Sequence, residues 1–241
     1  MTTSLLALIT GANKGIGFEA ARQLGAQGIE ILIGARDSQR GQEAVAKLKD
    51  EGVSAHAVII DVSNAASIKA AAATITRDFG RLDILINNAG IGLDRLLPSE
   101  VDIAHLREVL ETNFFGALIT AQTFLPLLRK AAAGRIVNVS SMLGSLFHLS
   151  DPQWVGHQTL CTSYSISKTA LNGFTALLSA ELVGTTVKVN SVEPGYTATD
   201  MTKGNGLQTV EQAAKAIVKY ATIDADGPSG GYFDIHGRIA W

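Results

Sequence analysis

A single cysteine in 241 residues removes a whole class of architectures. Cys161 has no partner for an internal disulfide, so nothing in the chain calls for an oxidising compartment. Charge is scarce as well: a net charge of −2 and a pI near 6.2, with no block of like charges, leave no long-range field to gather nucleic acid or anionic lipid. No apolar run approaches the roughly 18 residues of a membrane span. Met1 to Thr10 is apolar but lacks a basic leader and a cleavage site, and a glycine turn follows at once, so it reads as a first strand and not a signal peptide. Metal chemistry has little to work with. His157 and Cys161 share an i,i+4 spacing without a third ligand, and His56, His105 and His236 stand alone as satisfied or exposed side chains. These absences describe a soluble, cytoplasmic protein with no nucleic-acid, membrane or metal partner.

What is present is a large apolar content, 46% of residues, in a chain long enough for one sizeable core and most simply read as one domain spanning residues 1–241. Strand-like runs recur at Leu5–Thr10, Glu30–Ala35, Ser54–Ile60, Ile84–Asn87, Arg135–Val139, Thr186–Glu193 and Gly231–Ile235. Their Val, Ile and Leu content is continuous, the mark of strands covered on both faces. Helical stretches lie between them. Asn64 to Phe79 is alanine-rich with apolar positions at helical spacing, and Thr209-Val210-Glu211-Gln212 is a capping-box pattern. The expected fold is a doubly wound α/β domain of Rossmann type, with a seven-stranded, mostly parallel sheet and helices on both faces.

Two local patterns carry chemistry. Thr10-Gly11-Ala12-Asn13-Lys14-Gly15-Ile16-Gly17 follows the first strand and opens a helix, the order that holds a pyrophosphate, although by itself it also describes a surface turn. About 20 positions beyond such a turn a residue faces the adenosine ribose. Here the second strand ends Gly34-Ala35-Arg36. An acid there would repel a 2′-phosphate; Ala35 removes it, and Arg36 and Lys14 offer cations, which favours NADP(H) over NAD unless both are ordinary solvated charges. Tyr164 and Lys168 stand one helical turn apart, downstream of Ser140-Ser141, so an ammonium can sit beside a phenol and favour its ionised form. Asn113 lies in an otherwise apolar helical pattern and needs a partner, either at a kink satisfied by water or in a functional role.

Taken together, Thr10-Gly11-x-x-x-Gly15-Ile16-Gly17, Asn87-Asn88-Ala89-Gly90, Asn113, Ser141 and Tyr164-x-x-x-Lys168 resemble the motif set of the classical short-chain dehydrogenases/reductases, in order along nearly the whole chain. The resemblance implies a catalytic set of Asn113, Ser141, Tyr164 and Lys168. Tyr164 would exchange a proton with the carbonyl oxygen, Ser141 would hydrogen-bond that oxygen, and Ser140 would be structural. Lys168 would hold the nicotinamide ribose, and Asn113 would keep a water linking Lys168 to solvent. It implies cofactor contacts from Gly11, Asn13, Lys14, Gly15, Ile16 and Gly17, from Arg36, from Asp61 and Val62 at the adenine, and from Asn88, Ala89 and Gly90. Pro194, Gly195, Thr197 and Thr199 would hold the carboxamide, with Tyr164 and Lys168 touching the cofactor as well.

The departures narrow the likeness. Ser141 and Tyr164 are 23 positions apart, roughly ten more than in a typical member, which with the Ala-Arg strand end resembles the carbonyl reductase branch. Loops 142–163 and 194–209 are expected to form the substrate site. Met142, Leu143, Phe147, His148, Tyr196, Met201 and Leu207 are placed to line it or to pack the core, and the short 199–209 stretch suggests an open cleft. The expected function is an NADPH-dependent, reversible reduction of a small or medium ketone or aldehyde to an alcohol. The competing reading is a dinucleotide-sensing protein on the same fold without turnover. Relatives pair as dimers or tetramers through the helix holding Tyr164, which continues with Leu171, Phe174, Leu177 and Leu178; the insertion is equally compatible with a monomer.

Overall fold

The computed structural model describes residues 4–92, 95–159 and 161–241. Seven strands form one parallel sheet: β1 (Leu6–Thr10), β2 (Glu30–Ala35), β3 (Ala55–Ile59), β4 (Ile84–Asn87), β5 (Arg135–Val139), β6 (Lys188–Val192) and β7 (Tyr232–Phe233). Their spatial order is β3-β2-β1-β4-β5-β6-β7. The order reverses between β1 and β4, so a crevice opens beyond their carboxyl ends.

Successive residues of β1 point to opposite faces, and both faces are covered. Ala7 and Ile9 join Leu24, Ile31, Ile33, Ile217 and Phe233 beneath α1 (Gly15–Gly25), α2 (Ser38–Asp50) and, counted further along the chain, α8 (Val210–Ala221). Leu6 and Leu8 join Leu32, Ile68, Ile75 and Phe124 on the other face, beneath α3 (Ala65–Asp78), α5 (Gly116–Leu128) and α7 (Thr162–Glu181). Two short helices complete the set, α4 (Ile103–Leu110) and α6 (Leu146–Leu149).

Side chains start several of these helices by accepting their unpaired N–H groups. Asp37 accepts from Arg40 N at 2.8 Å, Asn64 from Ala66 N and Ser67 N, and Asp102 from Ala104 N. Thr209 and Gln212 form the expected reciprocal capping box. The start of α1 is different from these: Lys14 makes no side-chain cap, which leaves those N–H groups for a ligand.

Three expectations need correction. The strand β3 is not covered on both faces, because it is the sheet edge: His56, Ala57 and Ile59 are exposed, and His56 meets Glu30 at 3.0 Å. The last strand is two residues long, not Gly231–Ile235, because Asp234 accepts from His236 N and Gly237 N and turns the chain away. The expected loop 142–163 is largely built of short helical segments. It holds a 3-10 turn at Met142–Gly144, α6, and a second 3-10 segment at Val155–Thr159; Leu160, like Met1–Thr3, lies outside the described residues.

Candidate active site

The carboxyl ends of β1, β4, β5 and β6 deliver the expected residues to one crevice. Beside β1, Gly11 and Gly15 adopt φ values of +64° and +62°, where a side chain would be strained, and a Cβ on Gly11 would fall 2.9 Å from Ala89 Cα. Backbone is thereby brought close to backbone. Thr10 Oγ1 accepts from Asn88 N and Ala89 N at 3.1 Å each, and Asn88 Nδ2 donates to Thr10 O at 2.9 Å. Asn87 ties β4 to β5 through Asn138 Oδ1 at 2.8 Å. The asparagines act as braces, and the glycines leave a bare cradle at the uncapped start of α1.

A second opening, about 320 Å³, lies beside that cradle and is lined by Asn13, Lys14, Arg40, Glu43, Ala44 and Lys47. Arg36 is exposed at the end of β2. Arg40, in the first turn of α2 after its Asp37 cap, brings a cation that was missed in the sequence. Lys14 is engaged elsewhere: its ammonium meets Asp200 at 2.6 Å across the groove mouth, so it is not a free cation waiting for a phosphate. Asp61 Oδ1 accepts from Ser63 N and Ser63 Oγ and shapes the turn after β3, with Val62 buried behind it. The uncapped helix start, the glycine cradle and the basic opening suit a dinucleotide with its pyrophosphate at α1.

Tyr164 and Lys168 occupy the first two turns of α7, on the face turned to β5 and the 3-10 turn after Ser141. Ser141 lies beside the Tyr164 phenol and favours its ionised form. Lys168 Nζ sits 5.4 Å from the Tyr164 ring centroid and donates to Val139 O at 2.7 Å. Burial pushes the Lys168 ammonium down to about 8, with Glu193 opposing. One expectation is reversed here. On balance the Tyr164 phenol is not favoured in its ionised form; burial, then the nearby Glu193, hold its pKa above the ordinary value, against the influence of Ser141.

Asn113 lies fully inside a π-helical turn, Glu111–Phe115, that joins α4 to α5. Its side-chain partners are protein groups: Oδ1 accepts from Ile91 N at 2.8 Å, and Nδ2 donates to Ile91 O at 2.9 Å and Ser167 Oγ at 3.0 Å. A Cβ on Gly90 would meet Asn113 Oδ1 at 3.4 Å and Lys168 Nζ at 3.7 Å, so the absent side chain lets the strand end, the π turn and the lysine close together.

The remaining walls are less regular. The 194–209 loop folds back on itself: Thr197 bridges Gln208, Leu207 N donates to Tyr196 O at 2.8 Å, and Thr202 Oγ1 donates to Thr197 O and Thr199 O. Pro194 and Gly195 start it, with Gly195 at φ +88°. Met142 and Leu143 are half-buried beside Ser141, whereas Leu207 is 91% exposed and Phe147 62% exposed. Phe147, His148, Trp154 and His157 contact one another in a chain of rings with centroids 5.3 to 5.8 Å apart. Two anchors of this segment were invisible in the sequence: Phe147 N donates to Trp241 O at 2.7 Å, and Ser145 Oγ to Ala240 O at 2.9 Å. Among the described residues no cluster of three or more His, Cys, Asp or Glu side chains could hold a metal, and no helix is long and apolar enough to cross a membrane.

A family model described as short chain dehydrogenase matches residues 5–209. The (+)-neomenthol dehydrogenase of Capsicum annuum is 31% identical, with 96% of each chain covered, over an alignment of 304 positions; that protein therefore carries segments this one lacks. Salutaridine reductase of Papaver somniferum is 31% identical over 97% of this chain and 95% of its own. The crystal structure of NADPH-bound carbonyl reductase from chicken fatty liver superposes with a TM-score of 0.87 at 30% identity, covering 99% of this chain and 100% of that one.

Proposed function

Because the chain belongs to the short-chain dehydrogenase family, whose members are oxidoreductases using a nicotinamide dinucleotide, we propose that it is an NADPH-dependent carbonyl reductase. It would reduce a small or medium ketone or aldehyde to the alcohol, reversibly. The observation that carries this reading is the convergence of Tyr164, Ser141 and Lys168: a buried phenol beside a serine, with a buried ammonium 5.4 Å from its ring. The likeness to an NADPH-bound carbonyl reductase and to a salutaridine reductase supports the direction of the reaction, and Arg40 in the opening beside the cradle, with Arg36 exposed at the end of β2, supports a 2′-phosphate.

When bound, the nicotinamide would supply the hydride. Tyr164 supplies the proton, passing it from Oη to the carbonyl oxygen as that oxygen gains electrons. Its raised pKa keeps the acid form populated at neutral pH, and Lys168 stabilises the phenolate as it develops. Ser141 donates to the same oxygen and fixes its place. Asn113 holds the Ile91 backbone and, through Ser167, the second turn of α7, so that Lys168 keeps its register beside Gly90. Arg36 and Arg40 would hold the 2′-phosphate; the bare N–H groups at Gly15 and Ile16 would hold the pyrophosphate.

The test is NADPH consumption over aliphatic ketones, aryl ketones and keto-esters, with NADH alongside. Turnover with at least one class and a preference for NADPH is expected. Tight NADPH binding without turnover on any of them would replace the reductase by a dinucleotide sensor.

A further inference from the structure

The residue after β6 is a buried carboxylate that the reaction above does not use. Glu193 is 8% exposed, and its backbone N donates to Phe233 O at 2.7 Å, which fixes it to β7. Each carboxylate oxygen accepts one backbone N–H: Oε2 from Met142 at 2.6 Å and Oε1 from Gly195 at 2.8 Å. Met142 follows Ser141, and Gly195 opens the 194–209 loop, so one side chain ties together the two walls of the crevice. Only an acceptor with two free oxygens can take both N–H groups; a Gln would turn its NH2 toward one of them.

The charge has a destination as well. Tyr164 and Lys168 face Glu193 from α7, Tyr232 faces it from β7, and Asp234 faces it from the turn after β7. Lys168 is the one cation in this group, while Asp234 shares Glu193's sign. His236 and Gln212 line the same cavity, about 200 Å³, on the side away from α7.

We propose that Glu193 is a positioning residue: its carboxylate clamps the Ser141 wall to the Pro194–Gly195 wall and serves as the counter-charge that keeps Lys168 an ammonium. This rests on the assignment of Tyr164 and Lys168 as the proton-handling pair. Burial pushes Glu193 up to about 7 and Lys168 down to about 8, each opposed by the other's charge. Above neutral pH, where the lysine would otherwise lose its proton, the carboxylate is ionised and holds it. Removing that charge lowers the pKa of both Lys168 and Tyr164, so every limb that either one controls moves the same way.

Glu193→Gln removes the charge, and Glu193→Asp keeps the charge but is too short to span both N–H groups. For ketone reduction, Gln should move the alkaline limb of kcat/KM to lower pH by about one unit. Asp should leave the limb in place while raising KM. A limb unmoved in Gln overturns the counter-charge. A second readout needs no turnover: carbon-13 NMR titration of the glutamate carboxyls, with Glu193 identified by its loss in the Asp variant. Coupling is reciprocal, so Lys168→Met must raise the Glu193 midpoint. An unmoved midpoint overturns the proposal even if Glu193→Gln fails to fold. A raised midpoint in a protein that turns over no carbonyl upholds the pair and defeats the reductase assignment alone.

Discussion

The crevice has two halves built in different ways. On the cofactor side, from Thr10 to Gly17 and from Asn87 to Gly90, the shape is made by backbone: positive-φ glycines, an uncapped helix start, and Asn and Thr side chains donating to or accepting from main chain at 2.9 to 3.1 Å. On the substrate side, from Met142 to Gln158 and from Pro194 to Thr209, it is made mostly by exposed or half-buried side chains on short helices and turns held by distant residues such as Glu193, Ala240 and Trp241. A backbone-built wall accepts one ligand shape. A wall of exposed side chains can be altered one residue at a time, and substrate choice can change there without disturbing the cofactor.

The sharpest way to break this division is at its seam. Tyr164→Phe removes the proton donor and keeps the ring, so turnover should fall on the order of 10² to 10⁴ while NADPH affinity stays near wild type. Single-turnover kinetics with a fluorescence titration of NADPH measures both. Retention of more than half the wild-type kcat would take Tyr164 out of the chemistry.

On the cofactor side, Arg36→Asp places an anion where a 2′-phosphate is expected. The ratio of kcat/KM for NADPH over NADH should drop by on the order of 10- to 100-fold, toward NAD. Arg40→Ala should act in the same direction but less, and Lys14→Ala least, because Asp200 already neutralises that ammonium. A wild-type preference for NADH would show that the strand end does not select the cofactor.

The halves also differ in how far the sequence revealed them. Glycine spacing, the Asn88 motif and the i,i+4 pair are local patterns, and local patterns survive in one dimension. Asn113 could be seen as a polar residue in an apolar helix, but its partners, Ile91 and Ser167, lie 22 and 54 positions away. The raised pKa of Tyr164 was hidden for the same reason. The lysine is near in sequence, whereas the burial and the Glu193 carboxylate that raise the phenol's pKa come from the fold. The edge position of β3 was equally out of reach, since strand order is set by crossovers that no strand's composition encodes.

Lys168 shows what the site costs the fold. Its folded-state pKa is about 8, below the ordinary lysine value of 10.5, so the buried ammonium destabilises the protein below pH 8 and that cost fades as pH rises toward the unfolded value. Lys168→Met should abolish turnover and yet raise stability at neutral pH by roughly 1 to 3 kcal/mol, with the gain shrinking at alkaline pH. Chemical denaturation at neutral pH and near pH 10 checks the sign. A variant less stable than wild type at neutral pH would mean that the Val139 hydrogen bond outweighs the buried charge.

The smallest effects are expected where the wall is side chain alone. Phe147 is 62% exposed, with its ring against His148, and His148 stacks on Trp154 with centroids 5.5 Å apart. Truncating either ring removes apolar surface without leaving a deep cavity, because the backbone of the segment is held independently at Ser145 and at Phe147 N by residues 240–241. Stability should therefore change by less than about 1 kcal/mol. The chemistry at Tyr164, reached from α7 and β5, should stay intact. What can change is the entrance: Phe147→Ala and His148→Ala should shift KM and product handedness for a bulky ketone a few-fold, with maximal rate on a small ketone nearly constant. Measuring kcat/KM for a small and a bulky aryl ketone, with chiral analysis of the alcohols, decides the matter. If both variants keep the wild-type ratio and handedness, the segment is scaffold, and the substrate wall must be sought at Met142, Leu143 and the 194–209 loop.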